Sequence, residues 1–508
     1  MVHHINRRDF LKILGLMPFI FSKARGSLPK RKVLEETYPN VLMIVFDAFS
    51  TSNISLYGYP RKTTPHLEAL ADRATVYHNH YAAGNFTTSG TASLLTGTYP
   101  WTHRAIQINN KVHNDFQTKN IFHLMDDFFR ITYSHNQLVN ILQDQFMEDI
   151  DLYKPREDLT RGKNKWLSKL FANDQDTATV SWARISGHID HGLQSSLFLA
   201  ELISYINDKK NTLLEKVFPL GLPVSSVDTF LLEDAVDWMK HILTNPPNPF
   251  LGYFHLLPPH APYHTRGEFH EIFLDKDIQT ISKPKHPLAK VGREKHFQNM
   301  DPHRRAYDEF ILYVDSEFNR LYRALEKNGA LDNTYLILTS DHGEMFERGI
   351  MGHMTPCLHE PVVRVPLLIF EPGQKHRKDV YSKTNAVDLL PTILHWTGKK
   401  IPPWAEGFVL PPYGSPPDGR SLYALEAKTN KSLLPLNAGS AMIIKGGYKL
   451  TKYSGYRHLP QSDPLVELYD IDQDPEEMHE MSTSHPQVTR RLLEELETQI
   501  RAADEPYR

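Results

Sequence analysis

The 508-residue chain has one cysteine, Cys357, so neither an internal disulfide nor a cysteine-rich zinc site can form. Net charge is only −3, and no run of Lys or Arg is long enough to leave a nucleic-acid footprint. Nucleic acid is therefore not an expected partner. No apolar run is long enough for a stable transmembrane span. Internal repeats are lacking, which argues against solenoids and propellers. What remains is ample length for a large core and for two or three domains. Histidine is abundant, with 27 copies, several beside Pro, Gly or Asp in predicted loops.

Residues 1–26 read as an export signal. The stretch from Asn6 to Lys12 follows the twin-arginine pattern through Arg7 and Arg8, and Ile13–Phe21 is a short apolar region broken by Pro18. Ser22-Lys23-Ala24 offers small residues at cleavage-site spacing. The implied partner is the twin-arginine export machinery. The implied location is the periplasm or surface of a bacterial-type cell. Lys30–Thr37 is charged and reads as a linker.

Two apolar runs carry the chemistry. Asn40–Phe46 is continuous and rich in branched residues, as in a parallel strand buried on both faces, and it ends on Asp47. Tyr335–Leu338 is a second buried strand, followed by Thr339–Glu344, which contains Asp341, His342 and Gly343. A carboxylate at the end of a core strand is costly unless paired or metal-bound. Two strands far apart in sequence thus deliver an Asp each to one sheet edge, where open α/β sheets bind ligands. Asp47, Asp341 and His342 suit a divalent metal: Ca, Mn or Zn. Gly343 is expected to provide a sharp backbone turn.

Thr64–Asp72 has helical spacing with Thr64 as a candidate cap, and Tyr77–Ala82 reads as a short strand. Asn85–Gly97 is rich in small hydroxyl residues and leads into a helix around Ala92–Leu95 that Gly97 can end. A helix start favours a tetrahedral anion. A hydroxyl there, beside a metal, could attack phosphorus or sulfur. Pro249–Leu257 reads as a strand that ends in the proline-flanked His260, and His255 reads as a satisfied core histidine. Asp234–Leu243 and Asp308–Asn328 are amphipathic helices, Arg364–Phe370 a strand, and Thr384–Gly398 a helix. Residues 140–230 look like a mostly helical insertion, with His188 and His191 as surface or packed histidines. Paired prolines after Ile401 mark a boundary. Beyond it, strands over Ala441–Tyr453 and Leu465–Tyr469 and a closing helix over Pro486–Ala503 are expected.

These pieces, in this order, resemble the sulfatase branch of the alkaline phosphatase superfamily. The matching motifs include Asn40–Asp47, Leu56–Tyr59, Thr87–Gly97, Pro259–Tyr263, Thr339–Glu344, Val387–Thr392 and Glu467–Asp470. The resemblance implies a three-layer α/β/α domain over 38–400, with a mostly parallel central sheet, and a small α+β subdomain over 401–508. It also implies a divalent-metal ester hydrolase, with Asp47, Thr87, Asp341 and His342 at the metal. It gives His260 contact with the reacting anion or protonation of the leaving group.

Departures from the pattern shift the expected reaction. Family sulfatases convert a Cys or Ser to formylglycine, but here that position holds Thr87, the nucleophile the resemblance implies, with Thr88 as the fallback. Phosphodiesterases and transferases of the superfamily use a threonine there. Ala48 replaces the second Asp of the family's Asp pair, and the Lys expected near His135-Asn136 is missing. His353 stands near another sulfate-binding Lys position, where it could bind a phosphoryl oxygen, act as an acid or complete a second metal site. His359 and Cys357 are not expected at the site. A threonine ester lacks the C–O cleavage route of a formylglycine hydrate. Water must attack the central atom, which favours phosphomonoesters or phosphodiesters over sulfuric esters. The substrate would be a small-molecule, glycan or lipid phosphate or sulfate ester. Transfer to a hydroxyl acceptor and an inactive binding homologue are the remaining alternatives.

Overall fold

The computed structural model describes residues 38–161, 216–225, 228–274, 278, 281–289, 300–457, 459 and 464–508. The proposed signal, His188 and His191 lie outside the described residues.

The centre is an eight-stranded sheet. Its strands are β1 (Asn40–Phe46), β2 (Thr75–Tyr77), β3 (Phe129–Ser134), β4 (Leu152–Lys154), β5 (Phe250–Leu256), β6 (Thr334–Thr339), β7 (Leu367–Phe370) and β8 (Lys378–Val380). They lie in the order β8-β2-β7-β6-β1-β5-β3-β4. Only β7 runs against the rest. The mostly parallel α/β architecture expected from the sequence is present.

Alternation along β1 builds the layers. Val41, Met43 and Val45 join a core with helices α2 (Thr87–Thr96) and α5 (Leu389–Trp396). On the opposite face Phe46 meets Phe318 of α4 (Asp301–Lys327), and Phe254 of β5 meets Trp238 of α3 (Leu232–Ile242). Helix α4 presents Tyr307, Phe310, Ile311, Val314, Phe318, Leu321 and Leu325 inward at helical spacing. It starts seven residues before the predicted Asp308, because Pro302 near its first turn favours a helix start.

Other boundaries differ for local reasons. The hydroxyl of Thr64 turns to Ser55 Oγ (3.1 Å) instead of capping α1 (Pro65–Leu70). The buried carboxylate of Asp315 caps that helix, accepting from His66 and Leu67 N–H at 2.8 Å. Tyr77–Ala82 is the end of β2 and a separate two-residue strand at His80–Tyr81. Glu360–Val363 is a helical turn, and β7 begins only after Pro366. Thr384–Asn385 is strand, and Asp388 closes a capping box with Asn385 before α5. Residues 140–161 of the expected insertion supply a helix end and strand β4; 162–215 lie outside the described residues.

The small C-terminal sheet has four antiparallel strands: β9 (Leu422–Glu426), β10 (Gly439–Lys445), β11 (Tyr448–Ser454) and β12 (Leu465–Asp470). Strand β9 follows the prolines too closely to be read from sequence. Helix α6 (Pro486–Asp504) covers this sheet through Leu492 and Leu496.

Candidate active site

Register brings three strand ends level. Val45 of β1 pairs with Thr339 of β6 and with His255 of β5. The next residues of β1 and β6 therefore place Asp47 and Asp341 side by side. Ser340 Oγ joins the two ends, 2.6 Å from the carbonyls of Phe46 and His342, and accepts from Phe49 N–H at 2.9 Å.

Asp47, Asp341 and His342 are fully buried, and one ligand atom from each lies within 4.8 Å of the others. His342 Nε2 is 3.3 Å from Asp47 Oδ1 and 3.6 Å from Asp341 Oδ2. His342 Nδ1 donates to the Gly343 carbonyl at 3.0 Å, which turns Nε2 toward the acids. Asp47 Oδ1 and Asp341 Oδ2 have no hydrogen-bond partner. Two converging buried carboxylates with free oxygens require a neighbouring cation.

Burial pushes the Asp47 carboxyl upward, but the imidazoles of His260, His255 and His342 outweigh it and hold it well below the usual range. Burial and then the charge of Asp47 push Asp341 upward. Burial opposes protonation of His342, yet Asp341 and Asp47 raise it to about 9.

Thr87 opens α2, and its Oγ1 is 3.4 Å from both His342 Nε2 and Asn136 Nδ2. The predicted helix thus begins at Thr87 itself, and Gly97 ends it at φ 64°. The neighbouring Thr88 hydroxyl is buried without a hydrogen-bond partner. Gly90 lets α2 back directly onto β6, since a Cβ there would lie 2.2 Å from the Asp341 carbonyl oxygen. Gly343 is also needed for close approach rather than for a sharp turn: a Cβ would lie 2.1 Å from the Pro361 carbonyl oxygen.

Two residues join this group against or beyond the sequence reading. His255, expected to be a satisfied core histidine, has Nε2 3.4 Å from Asp47 Oδ2 and 3.6 Å from Asp341 Oδ2, with no hydrogen-bond partner. Its other nitrogen meets Tyr253 Oη at 3.1 Å, so the ring is oriented toward the acids. Asn136 donates from Nδ2 to Asp47 Oδ2 at 2.5 Å, while its Oδ1 caps the following helix at Leu138 N–H. The cap fixes which amide end faces Asp47. Ala48, in place of a second acid, has φ 59° and donates its N–H to Asp341 Oδ1 at 3.4 Å.

His353 and His260 stack outward from His342. The His342–His353 and His353–His260 ring centroids are 4.2 and 4.9 Å apart. His353 Nδ1 faces Glu344 Oε1 at 3.2 Å. Burial first, then the His342 charge, lowers His353 to about 4. His260 is only half-buried, with Nδ1 2.7 Å from the Ala261 carbonyl. All six predicted site residues therefore form one connected group. His135 is buried against Tyr133 and Phe230 with both ring nitrogens unpartnered.

The sulfatase family model matches residues 39–399, which contain every one of these side chains. The chain belongs to the sulfatase family. Enzymes of this family are generally dependent on a divalent metal, and the Asp47, Asp341 and His342 group offers the donors for one. The ulvan-active sulfatase of Formosa agariphila is 24% identical over 393 residues, covering 73% of this chain and 64% of that protein. Arylsulfatase K of Bos taurus is 29% identical over 317 residues, covering 54% of this chain and 56% of that protein. The chain thus spans less than two thirds of either relative. Among solved structures, phosphonate monoester hydrolase SpPMH of Silicibacter pomeroyi shares the fold with a TM-score of 0.65 at 19% identity, covering 92% of this chain and 96% of that one.

Proposed function

We propose that this sulfatase-family hydrolase uses Thr87 as a covalent nucleophile on phosphomonoesters or phosphodiesters. The observation that carries the reading is the Thr87 hydroxyl at the start of α2, 3.4 Å from His342 Nε2 and beside the two buried acids. A metal ion fits the orphaned oxygens of Asp47 and Asp341 and the lone pair of His342, with Thr87 Oγ1 as a further donor. Mixed carboxylate and imidazole donors favour Mn or Zn over Ca. Such an ion acidifies a hydroxyl and offsets the charge of the ester oxygens.

Thr87 Oγ1 gives up its proton to solvent and attacks phosphorus in line with the leaving oxygen, whose bond to phosphorus breaks. The free N–H groups at the start of α2 stabilise the developing charge. His260 and His353 line the anion, and the half-buried His260 protonates the departing alcohol. Water then attacks phosphorus, and the Thr87 oxygen departs and recovers its proton. Asn136 and His255 hold Asp47 in place throughout.

Sulfuric ester hydrolysis is the second reading, favoured by the sulfatase names of the relatives. A glycan ester is the substrate class that the name of the ulvan-active sulfatase supports. Residues 1–26 support export to the periplasm or cell surface by the twin-arginine route. A panel of aryl phosphate, phosphodiester, phosphonate and sulfate esters, run on wild type and Thr87→Ala with metal analysis, tests the proposal. Phosphoester turnover lost in Thr87→Ala at unchanged metal content supports it. Full activity in that variant excludes the covalent route. Polyol or glycolipid acceptors added to the assay would expose transfer in place of hydrolysis.

A further inference from the structure

A second buried donor group shares no residue with the Asp47 site. His286, Cys357 and His359 are all buried, and one ligand atom from each lies within 4.8 Å of the others. Cys357 Sγ is 3.2 Å from His286 Nδ1. That nitrogen also accepts Leu288 N–H at 3.1 Å, so it bears a lone pair and the ring proton sits on Nε2. His359 has the reverse arrangement. Its Nδ1 is 3.0 Å from Glu477 Oε2, which keeps the proton there and leaves the lone pair on Nε2.

Both Nε2 atoms are buried and neither has a hydrogen-bond partner. They face the two oxygens of Glu467, at 3.2 Å for His286 and 3.8 Å for His359. The His359 Nε2 lone pair turned toward a buried carboxylate is repulsive unless positive charge lies between them. Each imidazole also has a carboxylate against the nitrogen that carries its proton: Glu467 for His286 and Glu477 for His359. Carboxylates in that position orient and strengthen metal-binding histidines.

We propose that His286, Cys357 and His359 bind a zinc-class transition metal ion, with Glu467 supplying a fourth donor. Sulfur and imidazole donors select such ions over Ca or Mg. On binding, the Cys357 thiol loses its proton to solvent. Thiolate and Glu467 then balance a dipositive ion, so the buried group is neutral. The ion would join segment 281–289, the loop that also carries His353, and strand β12 of the C-terminal sheet through Glu467. Tyr453 of β11 already donates to Glu467 Oε2 at 2.9 Å.

The test uses the full-length protein, stripped and reloaded with Co2+ or Zn2+. The Co2+ form should show a thiolate-to-cobalt charge-transfer band in the near ultraviolet. Cys357 is the chain's sole thiol, so the band can arise nowhere else. Cys357→Ser and His359→Gln should abolish it and lose one metal equivalent per chain, while Asp341→Asn keeps it. Zn2+ should raise the Tm of wild type more than that of Cys357→Ser, which keeps only the Asp47 site. Absence of the band in Co2+-loaded wild type overturns the proposal. So does its loss in Asp341→Asn, or equal metal content in wild type and Cys357→Ser. If Cys357→Ser does not fold, the spectra of wild type and Asp341→Asn still decide.

Discussion

The two buried donor groups differ in chemistry and in access. The Asp47–Asp341–His342 group offers carboxylate oxygen and imidazole, sits beside a helix-terminal hydroxyl, and continues outward to half-exposed His260. The His286–Cys357–His359 group offers sulfur and imidazole, and Leu288, Met345, Ile350 and Tyr453 pack around its cysteine. A reactive site must keep a position open for substrate, whereas a closed set of donors suits a structural ion. Turnover should therefore depend on the first group, and cohesion between segments on the second.

Thr87→Ala should produce the largest change, a fall in kcat on the order of 10⁴-fold or more with metal retained. Steady-state kinetics with metal analysis measures both. Asp341→Asn should abolish turnover together with one metal equivalent and leave the thiolate signal of the second group intact. His260→Ala and His353→Ala should each lower kcat by about 10²- to 10⁴-fold without loss of metal at Asp47. Activated esters with good leaving groups should recover part of the His260→Ala loss, because His260 protonates the alcohol. Asn136→Ala should cost roughly 10- to 100-fold in metal affinity, read by competition with a chelator. Gly90→Ala should destabilise the fold by about 1–3 kcal/mol, because the new methyl group must push α2 away from the Asp341 carbonyl. Denaturant titration measures it. Cys357→Ser should leave kcat unchanged while lowering Tm; a large fall in kcat would erase the division between the groups.

Asp47 and Asp341 are legible in sequence because each ends a continuous apolar run, and burial makes an acid there conspicuous. Thr87 is legible through the hydroxyl-rich stretch that precedes a helix and through its place in the family order. His255 is hidden, since a histidine within an apolar strand looks like core. Only the pairing of Val45 with His255 shows that its ring meets the acids. Asn136 is hidden because it also serves as an ordinary helix cap, and its second amide atom reaches Asp47 from 89 residues away. Cys357 and His286 are 71 residues apart, with nothing local to link them.

The amino-acid order by itself determined which strands are buried, where their acids fall and that a hydroxyl begins a helix. Those features depend on periodicity and on the local cost of burying charge. Tertiary structure alone decided which side chains complete each group. Strand register, and the close approaches permitted at Gly90 and Gly343, set distances between residues that no local pattern relates.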